Sequence, residues 1–418
     1  LTDNVPAGHI FFGQFIDHDI TLDDSSSLAS NNIPGETENV RTPTLDLDCI
    51  YGQGPEAQPY LYNGARLITG EDVSNSDHLI RNDLPRNTRG TAIIGDPRND
   101  ENRVISQMQL GMLRFHNTVV THLENQTNAV PAEELFEEAR RLTTWHYQWA
   151  VIHDYLPTVC GTCAVQDILS NGRKVYRPEE DNHSSPYIPI EFATAAYRFG
   201  HSMIPQQMQV QPGGRKHNVF SSSLGAPFSP LTDREQIVDW EALLDSGNGQ
   251  FERAAQLDSK MADALLELPF IPSSVPAFER SLAVRNLLRA QSFRIPSGEQ
   301  VAHTLQLCGV EEVTTEGIEQ VRIAGQKLGF EKATPLWIYL LLEGRVLGRQ
   351  DEVNGKVMGK KGEGLGPVGA RLVAEVLIGL MELDNRSFLG ANRNWSPLDS
   401  HSKIGSTGVT NLYQILTA

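Results

Sequence analysis

The feature that most constrains this chain is the return of apolar residues at three- and four-residue spacing over long segments, at 104–123, 131–155, 190–203, 284–293, 334–347 and 368–383. A strand alternates its faces every second residue, whereas a helix brings positions three and four apart onto one side, so this spacing predicts a mainly α-helical protein. Start signals agree: Pro131 is followed by Glu133 and Glu134, Thr232 and Asp233 precede an apolar run, and Ser297 precedes GEQVAHTL. Strand signals are few and short. Stretches 23–43, 211–230 and 348–366, rich in Gly, Ser, Asn, Pro and charge, read as surface loops rather than linkers, and no internal repeat is present. The expectation is one large helical domain over 1–418 with few short strands, trimmed at an N-terminus that opens on Leu1.

Composition narrows the partners. With 39% hydrophobic and 21% charged residues the chain has material for a core and is neither disordered nor collagenous. Its 35 basic and 52 acidic residues leave a net charge of -17, which repels phosphate backbones and anionic headgroups, so no nucleic acid partner is expected. No run of apolar residues is long enough for a transmembrane segment. Cys49 and Cys308 stand alone, and the pair Cys160 and Cys163 reads as a local disulfide or two inert thiols rather than a redox or zinc site.

Four segments carry chemistry. In FFGQFIDHDI, residues 11–20, Gln14, Asp17 and His18 share a helical face while Asp19 points away. Polar groups in so apolar a frame must be paired or chemically employed. GDPRNDENR, 95–103, sets Arg98, Glu101 and Asn102 just before a helix, a pattern that also suits a solvated helix start. YRFGHSMI, 197–204, puts Arg198 and His201 on adjacent turns, with Gly200 permitting close approach to the backbone, so a His there could ligate a flat cofactor. LAVRNLLR, 282–289, offers Asn286 and Arg289 three apart in an apolar helix. His116, His122, His146 and His153 make no zinc pattern and read as structural or surface residues.

Together, and in this order along nearly the whole chain, these segments resemble the animal-type haem peroxidases of the peroxidase-cyclooxygenase superfamily. GQFIDHD resembles the family's distal-helix motif, GDPRNDENR followed by LRFHN its distal-arginine segment, and YRFGHSMI its proximal-histidine motif. LGPVGARLVAEVLIGL, 365–380, resembles a stretch common in bacterial members. The resemblance implies a large helical fold and a haem b cofactor held through His201, with Asn286 accepting the proton of the other ring nitrogen. It implies His18 as the distal base, Arg98 as the charge beside it, Gln14 as a donor to distal water, and Arg198 and Arg289 as propionate partners. Asp17 and Glu101 match the carboxylates that form ester links to haem.

Asp19 matches a calcium ligand, and its partners fall in RTPTLDLD, 41–48, where Thr42, Thr44, Asp46 and Asp48 alternate. Oxygen at every second position suits a hard cation. Asp48 and Thr44 depart from the family's usual Ser and aromatic, which adds a charge. Asn102 stands where some members carry a methionine linked to a haem vinyl group, a bond that Asn cannot make. The implied activity is reduction of hydrogen peroxide with oxidation of bromide, iodide, thiocyanate or phenols. Two alternatives stand beside it. One is a fatty-acid dioxygenase, whose radical tyrosine lies three residues before the proximal His, where this chain has Arg198 and carries Tyr197 one residue earlier. The other is a haem-binding or adhesive protein without turnover.

Overall fold

Helix α1, Ala7–Ile20, is buried along almost its whole length, and only Gln14 and Asp17 keep partial exposure. In the computed structural model the described residues are 1–22, 28, 32–33, 37, 39–126, 130–180 and 186–418, so most of the loop read at 23–43 lies outside them. The turn Pro97–Asp100, a single 3₁₀ turn, leads to α2, Arg103–Glu124, whose first turn is capped by the Asn102 side chain accepting from Ile105 N–H at 3.0 Å. Helix α1 packs against α2, and α2 against α3, Leu135–Ala150. A helix from 131 was expected, but residues 131–134 form a turn closed by Glu134 N–H on the Pro131 carbonyl at 2.9 Å. Beyond Ala150 the chain runs through one π turn, Val151–Tyr155, which carries Tyr155.

The segment 190–203, expected as one helix, is three pieces: Ile190–Thr194, a 3₁₀ turn Ala196–Phe199, and α4, Gly200–Met203. The break falls at Ala195, with φ of -139° and ψ of -60°, and it frees the Ala193 carbonyl to accept from Arg198 Nε at 2.8 Å. Helix α5 is Leu282–Ser292, and α6 and α7 are Leu336–Val346 and Pro367–Leu383. Both α6 and α7 are apolar on nearly every side and pack on each other, as buried helices should. Each enclosed side chain such as Leu340 or Leu377 contributes about 1.5–3 kcal/mol. Between them Glu343 accepts from Val368 and Gly369 N–H at 3.0 and 3.1 Å, satisfying orphan donors at the start of α7. Burial outweighs those bonds and pushes the Glu343 carboxyl up to about 7.

Among the described residues the strands form only two-stranded antiparallel sheets. The longest pairs Arg349–Val353 with Lys356–Lys360 about an Asn354-Gly355 turn, both residues at positive φ. Asp233 caps a 3₁₀ turn, Arg234–Gln236, and Asp239 a separate helix, Trp240–Leu243, where one longer helix was expected. All four cysteines are free thiols, so of the two readings for Cys160 and Cys163 the disulfide is excluded. No helix among the described residues is long and apolar enough to cross a membrane.

Candidate active site

A cavity of about 410 Å³ lies between α1, the 98–102 segment and the 197–204 segment. Gln14, Asp17, His18, Arg98, Glu101, Asn102, Arg198 and His201 all line it, with Ile10, Phe11, Phe199 and Ile204 as apolar wall. Tyr155 and Tyr197 also reach it. Gly13 makes room for the former, since a Cβ there would stand 2.4 Å from the Tyr155 hydroxyl.

On the α1 side, His18 Nδ1 lies 2.7 Å from Asn99 Oδ1, and burial, then the Arg98 charge, lowers its pKa to about 4. The ring is therefore neutral at ordinary pH. Arg98 donates from Nη2 to the His18 carbonyl at 3.0 Å and from Nη2 and Nε to Asp96 at 2.7 and 3.1 Å, which fixes its guanidinium beside the histidine. Burial works to raise the Asp96 pKa, but the Arg98 hydrogen bonds and charge win and hold it at about 2. Gln14 donates to Glu101 and accepts from Asn102 Nδ2 at 3.3 Å. Burial raises the Glu101 carboxyl to about 7, Arg98 opposing and Asp17 reinforcing the shift.

From the 197–204 segment comes His201, its pKa lowered to about 4 by burial and by Arg198. Asn286, expected to accept a proton from this ring, lies beside it as expected, with its amide placed so that Nδ2 stands 3.1 Å from His201 Nδ1. The reason is Arg198, whose Nη1 donates to the Asn286 oxygen at 3.4 Å and so turns the amide nitrogen toward the ring. Half a turn of the amide exchanges the two roles. Arg198 lines the cavity but Arg289 does not, and Arg285, one turn earlier on α5, takes that place.

Behind α1, Asp19 is fully buried and meets Asp46 and Asp48, with one carboxylate oxygen of each within 4.8 Å of the others. Leu47 is held at φ of 61°, a left-handed conformation uncommon for its type, and directs its N–H to Asp19 Oδ2 at 3.2 Å. Thr42 donates to Asp46 and Asp48 at 3.3 and 3.1 Å, and Thr44 lies in the same loop. Asp19 Oδ1 and Asp48 Oδ1 have no hydrogen-bond partner. Burial, then Asp46 and Asp48, pushes the Asp19 carboxyl well above its ordinary value. Such a donor set fits a hard cation, which would relieve both the orphaned oxygens and the repulsion.

The cavity likewise fits a flat, iron-bearing macrocycle: two neutral imidazoles, His18 from α1 and His201 from the 197–204 segment, line it, and a Cβ at Gly200 would meet only Ile10 Cγ2, at 3.6 Å. The model of the animal haem peroxidase domain matches residues 26–319, most of the chain. The chain belongs to the animal haem peroxidase family. The matched span holds Arg98, Glu101, His201, Asn286 and Arg289 and begins after α1. Chorion peroxidase of Drosophila melanogaster is 27% identical over 324 residues, 73% of this chain and 38% of that protein. Human myeloperoxidase is 29% identical over 191 residues, 46% of this chain and 24% of that protein. The chain thus spans well under half the length of either peroxidase. In fold, it is similar to peroxidase A of Dictyostelium discoideum, with a TM-score of 0.62 at 15% identity over 98% of this chain and 85% of that one. Fatty acid alpha-dioxygenase of Oryza sativa gives a TM-score of 0.62 at 15% identity, over all of this chain and 73% of that one.

Sequence reasoning missed Asp96, Asn99 and Gln109 around this site. Asp96 before Pro97 was visible as a cap signal, and its side chain does accept from Arg98 N–H at 2.9 Å. Gln109, in mid-helix, gave none. His116 and His146 are structural, as expected: His116 is bonded to Tyr51 and Ala65 and His146 to Leu142.

Proposed function

We propose that this protein is a haem peroxidase that reduces hydrogen peroxide and oxidises small anions such as bromide, iodide and thiocyanate, or phenols. The observation that carries the reading is the pairing, in one cavity, of neutral His18 and fixed Arg98 with His201. Haem bound through its iron at His201 Nε2 would supply the electrons for splitting the O–O bond. His18 Nε2 takes the proton of the incoming peroxide and returns it to the departing oxygen, a role that needs the neutral ring its burial provides. The Arg98 charge favours the negative charge that develops on that oxygen. Gln14, bonded to Glu101 and Asn102, orders water on the same side. Asn286, with its amide turned so that the oxygen accepts from Nδ1 and leaves Nε2 bare, steadies the His201 ring; Arg198 and Arg285 line the cavity and serve the propionates in place of the expected pair Arg198 and Arg289, and Asp17 and Glu101 are the carboxylates for ester links.

Asp19, Thr42, Thr44, Asp46 and Asp48 hold calcium in this reading and tether α1 from behind. A second reading, a fatty-acid dioxygenase, has the cavity position of Tyr197 in its favour; oxygenated linoleate as the main product would establish it. The deciding experiment is the absorption spectrum of purified protein before and after hydrogen peroxide, with His201→Ala alongside. A haem band that responds to peroxide and is lost or altered in the variant is expected. An unchanged spectrum and full haem occupancy in His201→Ala would refute the ligand assignment.

A further inference from the structure

Behind His18 runs a chain of buried amides that joins four separate segments of the fold. His18 Nδ1 lies 2.7 Å from Asn99 Oδ1, Asn99 Nδ2 donates to Gln109 Oε1 at 2.8 Å, and Gln109 Nε2 donates to the Cys49 carbonyl at 3.5 Å. Asn99, Gln109 and Cys49 have no solvent exposure, so bulk water does not compete for these bonds.

The polarity of this chain is set at its far end. A backbone carbonyl only accepts, so the Gln109 end facing Cys49 is the nitrogen and the end facing Asn99 is the oxygen. That oxygen needs a donor, which is Asn99 Nδ2, and the atom left for the histidine is then Asn99 Oδ1. It too can only accept. The Cys49 carbonyl is itself held in place, because Gly95 packs so closely that a Cβ there would stand 2.7 Å from it.

We propose that Asn99 and Gln109 are positioning residues that hold His18 in one neutral tautomer, with the proton on Nδ1 and a bare lone pair on Nε2. The inference rests on His18 being the proton acceptor of the cavity. Reversing either amide would set an N–H against Nδ1 and move the ring proton to Nε2, where the ring would donate to a peroxide instead of accepting from it. Orientation of a base by the group behind it governs whether it works at all.

The test reads the tautomer directly, by nitrogen NMR of full-length protein carrying isotope-labelled histidine, with the His18 signals assigned from His18→Gln. The parent should show Nδ1 protonated and Nε2 bare. Asn99→Leu and Gln109→Leu should give the Nε2-protonated form or a mixture and, once haem is loaded, a reaction with peroxide slowed at least about tenfold. Asn99→Asp, kept neutral by its burial, retains an oxygen for His18 and a hydroxyl that donates to Gln109 Oε1, so it should keep the parent tautomer and most of the rate. It also guards against loss of folding in the leucine variants. An unchanged Nδ1-protonated signal in the leucine variants, or an Nε2-protonated parent, would overturn the proposal. So would an Asn99→Asp rate as low as that of Asn99→Leu, which would mark a packing effect. A parent with the expected tautomer but no reaction with peroxide would instead refute the peroxidase reading and leave the relay standing.

Discussion

Asp46→Asn should change the stability of this protein in opposite directions depending on whether calcium is present. The three carboxylates of Asp19, Asp46 and Asp48 bring oxygens within 4.8 Å of one another. At that distance and an effective dielectric constant near 20, two full charges repel by about 3.5 kcal/mol. Proton uptake by Asp19, whose pKa is already pushed up by burial and its two neighbours, sheds part of this. Arg386, 3.7 Å from Asp46 but largely exposed, offsets little. Relief of about 1–2 kcal/mol remains when Asp46 becomes neutral and nothing occupies the site. Calcium at a hundred times its dissociation constant stabilises the parent by about 2.7 kcal/mol; if loss of one anionic ligand weakens binding about a hundredfold, the variant gains only about 0.4 kcal/mol. The variant should therefore be more stable than the parent in chelator and less stable in calcium. Urea denaturation of the haem-loaded protein, followed by circular dichroism in each condition, measures both. An equal loss in the two media would show that Asp46 only braces the loop and that the three carboxylates share no cation.

His18→Ala and Arg98→Ala should each retain haem yet react with hydrogen peroxide at least about a hundredfold more slowly in stopped-flow measurements, the usual scale for a lost general base; a rate near that of the parent would remove the residue from the mechanism. Glu343→Gln should flatten the pH dependence of stability. The folded carboxyl titrates near 7 and the unfolded one near its ordinary 4.5, so the parent is favoured below that lower value and loses about 3 kcal/mol relative to the variant as pH rises past 7. Parallel stability curves for the two proteins from pH 4.5 to 8 would contradict this. Mass spectrometry of haem peptides should find at most two covalent links, at Asp17 and Glu101, because Asn102 has no sulfur and its oxygen caps α2. Bromide or thiocyanate should then be oxidised more readily than chloride; a third link at residue 102 or efficient chloride oxidation at neutral pH would defeat the argument.

The helical character of the chain and the faces of α1 were decided by sequence, because 3.6-residue periodicity is local: it places Gln14, Asp17 and His18 on one side and Asp19 on the other wherever the helix goes. The family motifs were equally readable, since their residues lie within a few positions of one another. Segment 190–203 was not, because its apolar spacing is helical throughout while the break at Ala195 goes with a side-chain bond, Arg198 Nε to the Ala193 carbonyl, that the spacing of apolar residues does not report. Nor was the orientation of Asn286, which depends on a guanidinium 88 positions away in sequence. The amides behind His18 belong to the same class. Neither Asn99 nor Gln109 is marked out in the sequence, and only the packing of α1, α2 and the 48–51 turn encloses them together. Spacing along a chain reports which side chains share a face; which donor meets which acceptor is settled when separate segments close on one another and exclude the water that would otherwise serve either role.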